Sequence, residues 1–460
     1  MRLVAATLAG KLVAYLSRHF NVGGGTTFPG TVTRKIDSKA LTKMTSRLSR
    51  GCIVVTGTNG KTTTTRIISN ILQVAGLKPV HNRSGANLIT GITSALLNSS
   101  DLTGKPRGDI GLFEVDEANL PQVVAETKPA IVVINNLFRD QLDRYGEIDY
   151  VASLWRKALK QLPESTCVVL NADDPLVASL KDSVGGTVLY FGIEDEKYGR
   201  NALEHAADSK SCVSCGGRYS YSVAFYGHVG KYICPNCGAK RPVPDLAATS
   251  VLLRSTEGSE LSLSTRKGSL DVQVTLPGVY NVYNVLAAAA TGVALGLALE
   301  DVKTAINNFA AAFGRIERIR IQDKLVFLAL VKNPIGFNEV LRTVLLDDVQ
   351  KDLLIIINDN IADGTDISWL WDVDFEVLQG KVKNVVVSGT RAEDMAVRLK
   401  YAQVDTSVVE IEKNLERALN ACLQEVGHGG TLYVLPTYTA MLEIRDVMQR
   451  LGYVGKFWQD

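Results

Sequence analysis

Short apolar runs alternate with segments of helical period along most of the chain. "CIVVTG" (52–57) reads as a buried strand and "KTTTTRIISNILQVAG" as the helix that leaves it. "IGLFEVD" (110–116), "AIVVINN" (130–136), "TCVVLNADD" and "TVLYFG" are further strand runs. Strands that are apolar throughout belong to a parallel sheet covered by helices on both faces. "VYNVYNVLAAAATGVALGLALEDVKTAINNF" (279–309) is strongly helical and closes this unit near residue 320. A second series, "KLVFLAL", "DLLIIIN", "VKNVVVSG" (382–389) and "TLYVLP" (431–436), predicts a smaller α/β unit. Between 205 and 242 the pattern breaks into four cysteines, glycines and aromatics, which marks an inserted module. The chain thus divides into a lead-in (1–50), an α/β unit (51–320) carrying the insertion (205–242), and a second α/β unit (321–460).

The lead-in opens with "MRLVAATLAGKLVAYLSRHF", where Leu3, Val4, Leu8, Leu12, Val13 and Leu16 fit an amphipathic helix. Lys11 interrupts the run and no small-residue cleavage signal follows, which argues against a secretory signal. Two readings stand: a helix docked on its own domain, or peripheral contact with a membrane surface. No run reaches the ~18 apolar residues of a transmembrane helix, so the chain reads as soluble.

At 460 residues, 46% of them hydrophobic, the chain has ample material for several cores. Fifty Lys+Arg against 48 Asp+Glu give no sign of a nucleic-acid surface, although basic residues gather mildly in the first fifty positions. Seven cysteines are too few for a disulfide scaffold of this size.

"GTNGKTTT" (57–64) follows a strand and opens a helix, the context of a phosphate-binding loop. Gly57 and Gly60 let backbone N–H groups of Gly57, Thr58, Asn59, Gly60 and Thr63 turn toward phosphate oxygens, and the helix N-terminus adds its dipole. Lys61 would reach the terminal phosphates and the Thr62 hydroxyl would sit on magnesium. The plain alternative is a glycine turn before a threonine-rich helix start. The spacing G-x-x-G-K-T is tighter than the usual G-x-x-x-x-G-K-[ST].

Cys212-x-x-Cys215 and Cys234-x-x-Cys237 stand eighteen residues apart, each pair followed by glycine. Two such knuckles give the closed four-thiolate set that zinc prefers, with no open position and hence a structural role. Redox-active dithiols are the competing reading. His205 and His228 read as surface residues, and Cys52, Cys167 and Cys422 as buried small hydrophobes.

"NDNIADGTDISWLWDVDFE" (358–376) holds six carboxylates and two tryptophans. One account is a solvated loop followed by a helix with Thr365 or Asp366 as N-cap and the tryptophans Trp369 and Trp371 packed on the sheet. In "VKNPIGFNEVL", Asn333-Pro334 reads as a turn before a helix.

G-T-N-G-K-T-T resembles the ATP loop of the Mur ligases, which join amino acids to peptidoglycan precursors through an acyl phosphate. Other landmarks follow in the family's order. "FEVDEANL" (113–120) places Glu114 as a magnesium ligand, with Asp116 and Glu117 replacing the family's serines. "INNLFRDQLDRYG" (134–146) puts Asn136 and Asp140 near the phosphates, with Gln141 in place of a histidine. "NADDP" (171–175) matches, "GVYNVYNVLAA" (278–288) places Asn281 at the adenine, and "FGRIE" (313–317) places Arg315 near the phosphates. The fold implied is a Mur-ligase-like ATPase domain with ATP and magnesium as cofactors, a zinc-ribbon insertion, and a smaller α/β C-terminal domain.

Ordinary Mur ligases carry an N-terminal UDP-sugar domain of about one hundred residues, a normal domain scale; here about fifty residues precede the loop. The short lead-in, the four cysteines, "HNRSGANLITGITSAL", "VKNPIGFN" and "SGTRAEDMAVRL" resemble the MurT-type subunits of lipid II isoglutaminyl synthase. The resemblance implies ATP-dependent amidation of the D-isoglutamate α-carboxylate of lipid II at the cytoplasmic face of the membrane. Ammonia would come from a heterodimeric partner, a GatD-type glutamine amidotransferase. That partner supplies Cys and His, while the ligase subunit lends an aspartate. The matching position is Asp366, with Asp363 and Asp359 as rivals; Lys332 and Asn333 are weaker substrate-site candidates. The alternatives are a free-standing amino-acid ligase of the Mur or folylpolyglutamate type and a non-enzymatic zinc-ribbon scaffold.

Overall fold

The computed structural model describes residues 1–20, 27–82, 86–139, 148–204, 207–309 and 316–455. Eleven strands precede residue 275: β1 Cys52–Thr56, β2 Pro79–His81, β3 Ile110–Glu114, β4 Ile131–Ile134, β5 Cys167–Asn171, β6 Thr187–Ile193, β7 Ser220–Tyr226, β8 Val229–Ile233, β9 Leu246–Leu253, β10 Ser259–Thr265 and β11 Gly268–Val274. Nine of them form one sheet in the order β11-β10-β9-β6-β5-β4-β1-β3-β2, parallel from β2 to β9. The antiparallel extension β9-β10-β11 was not legible as strand pattern, because its faces alternate buried and exposed residues of mixed polarity.

From β1 the chain runs to the β2 edge, returns through β3, and crosses to β4 on the other side. That reversal makes the end of β1 a topological switch point, where parallel α/β sheets open a ligand crevice. The helix Val279–Ala294 lies under the crevice. Its run Ala287–Ala290 is fully buried against the sheet, since small side chains let the backbones approach.

Six later strands, β12 Ile316–Ile321, β13 Lys324–Ala329, β14 Lys351–Ile356, β15 Val382–Ser388, β16 Val409–Ile411 and β17 Thr431–Pro436, form a second sheet in the order β12-β13-β17-β14-β15-β16. It begins at Ile316, ahead of the boundary expected near residue 320, because β12 pairs antiparallel with β13 and not with the first sheet. β17 inserts between β13 and β14, so this sheet also has a switch point, at the ends of β14 and β17. The segment after Ile356 emerges there.

The helix Arg2–Phe20 forms as expected but docks by a different face. Leu3, Ala6, Thr7, Gly10 and Ala14 are buried, whereas Val4, Leu8, Leu12 and Leu16 are exposed. Among the described residues no helix is long and apolar enough to cross a membrane.

Candidate functional site

The loop after β1 is built around two glycines. Gly57 has φ 137° and Gly60 has φ 83°, both in the region that L side chains avoid. A Cβ on Gly60 would lie 1.9 Å from Asn284 Oδ1, so the loop passes tightly over the helix Val279–Ala294. Residues 136–138, past the end of β4, brace it. Thr58 N donates to Asn136 O (3.1 Å), Asn59 N donates to Asn136 Oδ1 (2.8 Å), and Thr58 Oγ1 donates to Phe138 O (3.1 Å). Asn136 is thus committed to shaping the loop.

Lys61 opens the helix Lys61–Val74. Its Nζ donates to Gly57 O (2.6 Å) and lies 3.0 Å from Glu117 Oε2, a carboxylate that is almost fully buried. Glu114 ends β3 directly opposite Val55 of β1, and its backbone is held from both sides by Asn82. Thr62 and Thr63 face the same crevice as Asn281. Asn281 itself accepts from Asn284 Nδ2 (2.9 Å) and donates to Pro277 O (2.7 Å). Gly57 to Thr63, Glu114 and Asn281 therefore gather at one switch point; Asp140, Gln141, His205 and Arg315 lie outside the described residues.

The second sheet roofs this crevice. Lys332 Nζ reaches Thr58 O (3.4 Å) and Asn333 Nδ2 reaches Asn59 Oδ1 (3.1 Å), while Asn333 Oδ1 caps the helix Pro334–Val344 by accepting from Gly336 N. The free space between loop and roof, about 90 Å³, is well below the ~300–1,000 Å³ of ordinary ligand sites.

Sequence reasoning missed a buried polar junction beside this roof. Glu339, on the helix Pro334–Val344, lines the crevice; its carboxylate has no hydrogen-bond partner among the described residues, and Arg342 Nη1 stands 3.5 Å away. Burial pushes the Glu339 carboxyl up to about 7, Arg342 opposing the rise and Glu204 adding to it. Glu204 is likewise raised by burial, despite Arg200 at 2.9 Å. Arg342 also donates to the Tyr198 and Phe225 carbonyls, tying the roof to the inserted module.

The four cysteine sulfurs lie within 4.8 Å of one another, with Cys212–Cys237 at 3.6 Å and Cys215–Cys234 at 3.5 Å. Zinc–sulfur bonds of about 2.3 Å in a tetrahedron put sulfurs roughly 3.8 Å apart, so the set fits a zinc ion. The two knuckles repeat one another: Gly216 N donates to Cys212 O and Gly238 N to Cys234 O, with φ 73° and 76° at the glycines. His228, expected at the surface, is instead completely buried, its ring 4.6 Å from that of Phe138 and its Nε2 3.5 Å from Asp174 Oδ1. The hairpin β7–β8 folds inward over the NADDP segment and carries it there. Within that segment Asp173 binds Arg241, Tyr283 and Ile193 N, fixing the insertion to the sheet.

In the acidic segment the three aspartates separate. Asp363 is buried and caps the helix Tyr438–Arg450, accepting from Thr439 N (2.8 Å) and Thr439 Oγ1 (2.5 Å). Asp359 pairs with Arg391 (2.7 Å), and the Thr390 hydroxyl and Arg391 hold its carboxyl below the usual range. Asp366 is exposed with no ion pair among the described residues; one oxygen accepts from Ser368 N (2.8 Å), which lowers its carboxyl. Trp369 packs toward Phe337, but Trp371, expected to lock the loop inward, is 54% exposed, meets the Tyr401 ring edge-to-face and has the Arg398 guanidinium over its face.

Fold and loop together define a ligase of the Mur class. The Mur ligase middle domain family matches residues 55–239 and the MurT ligase C-terminal family residues 330–441. A pseudomurein peptide ligase type C from Methanothermus fervidus shares the fold at a TM-score of 0.68, with 22% identity over 88% of this chain and 79% of that one. MurF from Thermotoga maritima, solved in complex with ADP, shares it at 0.63, with 14% identity over 90% and 84% of the two chains. The lipid II isoglutaminyl synthase (glutamine-hydrolyzing) subunit MurT of Streptococcus pneumoniae is 34% identical over 97% of this chain and 98% of its own length. The chain belongs to the MurT family.

Proposed function

We propose that this chain is the ATP-dependent synthase subunit that amidates the α-carboxylate of D-isoglutamate in the lipid II stem peptide, at the inner face of the membrane. A carboxylate is a poor electrophile, so it first attacks the terminal phosphorus of ATP; ADP departs and an acyl phosphate forms. Ammonia attacks the acyl carbon, the bond to phosphate oxygen breaks, and the amide, phosphate and a proton result. Lys61, released from Glu117, offsets the charge on the transferred group, with Gly57 to Thr63 cradling the phosphates and Asn281 at the adenine. Arg315 is assigned to the phosphates on resemblance alone. Thr62 and Glu114 are the residues for magnesium, which would neutralise phosphate charge. Zinc in the four-cysteine cluster is structural.

Ammonia comes from a partner of the GatD type. The Cys52 and Cys422 thiols are pushed by burial up to about 12, Cys167 is raised too, and none suits a glutaminase nucleophile. Asp366 carries the reading: of the three candidate aspartates it alone stands exposed and without an ion pair among the described residues, on the segment that leaves the second sheet after β14. There it can orient a histidine of the partner. Glutamine should support amidation only with the partner present, whereas ammonium should support it with this chain alone. Glutamine-driven amidation by the isolated chain would reject the division of labour.

A further inference from the structure

The helix Arg2–Phe20 meets the rest of the molecule through a narrow face. A Cβ on Gly10 would lie 2.1 Å from Thr33 Oγ1 and 2.7 Å from Leu97 Cδ2, so the helix rests almost backbone-to-side-chain on its neighbours. Arg2 Nε donates to Ile36 O and Lys11 Nζ to Ser100 O, both at 2.7 Å, pinning its rotation. The helix cannot roll to bury its larger side chains.

Those side chains form the outward face. At about 100° per residue, Val4, Leu8, Leu12, Tyr15 and Leu16 fall within roughly 120° of arc. All five are exposed, Leu12 at 59% and Tyr15 at 65%. No Lys, Arg, Asp or Glu interrupts the stripe; Arg2 and Lys11 stand at its two margins. Phe28 and Lys35, seven residues apart on one side of the next helix, are exposed too. Residues 1–50 contain nine Lys+Arg and one carboxylate, Asp37, which is itself bonded to Lys43 at 2.6 Å; Arg34 pairs with Glu126 from outside this stretch. A continuous apolar face in a basic surround is the pattern of an interfacial helix. A second copy of the same face would bring like charges together.

We infer that this face docks on an anionic lipid bilayer, the apolar stripe entering the headgroup boundary and the basic rim meeting lipid charge. The hairpin of helices abuts the helix Ile89–Ser99. That helix starts two residues beyond Asn87, whose carbonyl accepts from Asp116 N beside the catalytic strand end. Docking would thus hold the ligase site near the membrane, a consequence that rests on the proposed lipid-linked substrate.

The test is co-sedimentation of the full chain, alone and with its partner, with substrate-free vesicles of equimolar phosphatidylglycerol and phosphatidylcholine, against phosphatidylcholine alone. The chain should bind the anionic vesicles, and added salt should release it. Leu8→Gln with Leu12→Gln and Leu16→Gln should lose about tenfold or more in partitioning. A Leu12→Trp variant should gain emission that brominated-chain lipid quenches. No binding, binding unchanged by the triple substitution, or unquenched emission overturns the proposal. So does a stripe that proves to be covered by a second copy or by the partner subunit. Vesicle binding by a chain that fails to amidate lipid II in a separate assay with ATP and ammonium would instead reject the proposed function and leave docking intact.

Discussion

Lys61 Nζ stands 3.0 Å from Glu117 Oε2, with both side chains almost out of solvent. The lysine expected to reach a terminal phosphate is thus parked on a carboxylate three residues past the expected magnesium ligand Glu114, and a bound phosphate would have to displace it. Lys61→Ala should leave the fold intact and lower amidation on the order of 10²–10³-fold, the scale of one charge-stabilising donor. Parallel circular dichroism and initial-rate measurements check both halves. Unchanged amidation would revive the scaffold reading.

The acidic segment gives a contrast within one loop. Asp366→Asn should cut the glutaminase rate of the complex roughly 10³–10⁴-fold, as loss of a triad's orienting carboxylate does, and spare ammonium-driven synthesis. Asp363→Asn should instead cost about 1–2 kcal/mol of stability through the damaged helix cap, seen as a lower denaturation midpoint. If Asp363→Asn abolishes glutaminase activity without destabilising the chain, the roles are reversed.

Glu339 makes stability depend on pH. Its folded-state carboxyl lies near 7, above the ordinary 4.5, so the fold favours the neutral acid. The contribution is full in acid, below the unfolded value, and is lost as pH rises through the folded one. Glu339→Gln keeps the neutral shape at every pH. Its unfolding temperature should match that of the parent near pH 5 and exceed it near pH 8, a gap that differential scanning fluorimetry reads. A gap that shrinks with rising pH would contradict the assignment.

Metal analysis should find one zinc per chain. Chelation should open the insertion around residues 207–240 to proteolysis before the nine-stranded sheet unfolds, because the ribbon's own core is only a few tyrosines around the cysteines. Simultaneous loss of both would mean the insertion is not a separate unit.

The phosphate loop, the cysteine knuckles and the parallel strands were legible because each depends on local spacing or continuous apolar runs. Glu117 was noticed only as a departure from a familiar serine, and its partner Lys61 lies 56 residues away in the chain. The Glu204–Glu339–Arg342 junction joins two distant segments by tertiary contact, which no local pattern encodes. His228 reads as a surface residue within a polar ribbon, yet the β7–β8 hairpin turns it into the core. For the first helix the periodicity was right, and the face that packs on the domain is not the one richest in leucine. Its small residues, not its leucines, allow the close packing.

The most direct test is mass spectrometry of lipid II incubated with this chain, ATP and ammonium, without any glutaminase. The account requires conversion of one stem-peptide carboxylate to an amide, with ADP formed in step. A product carrying an added amino-acid residue, or no product while a Lys61-dependent ATP turnover continues, would contradict it.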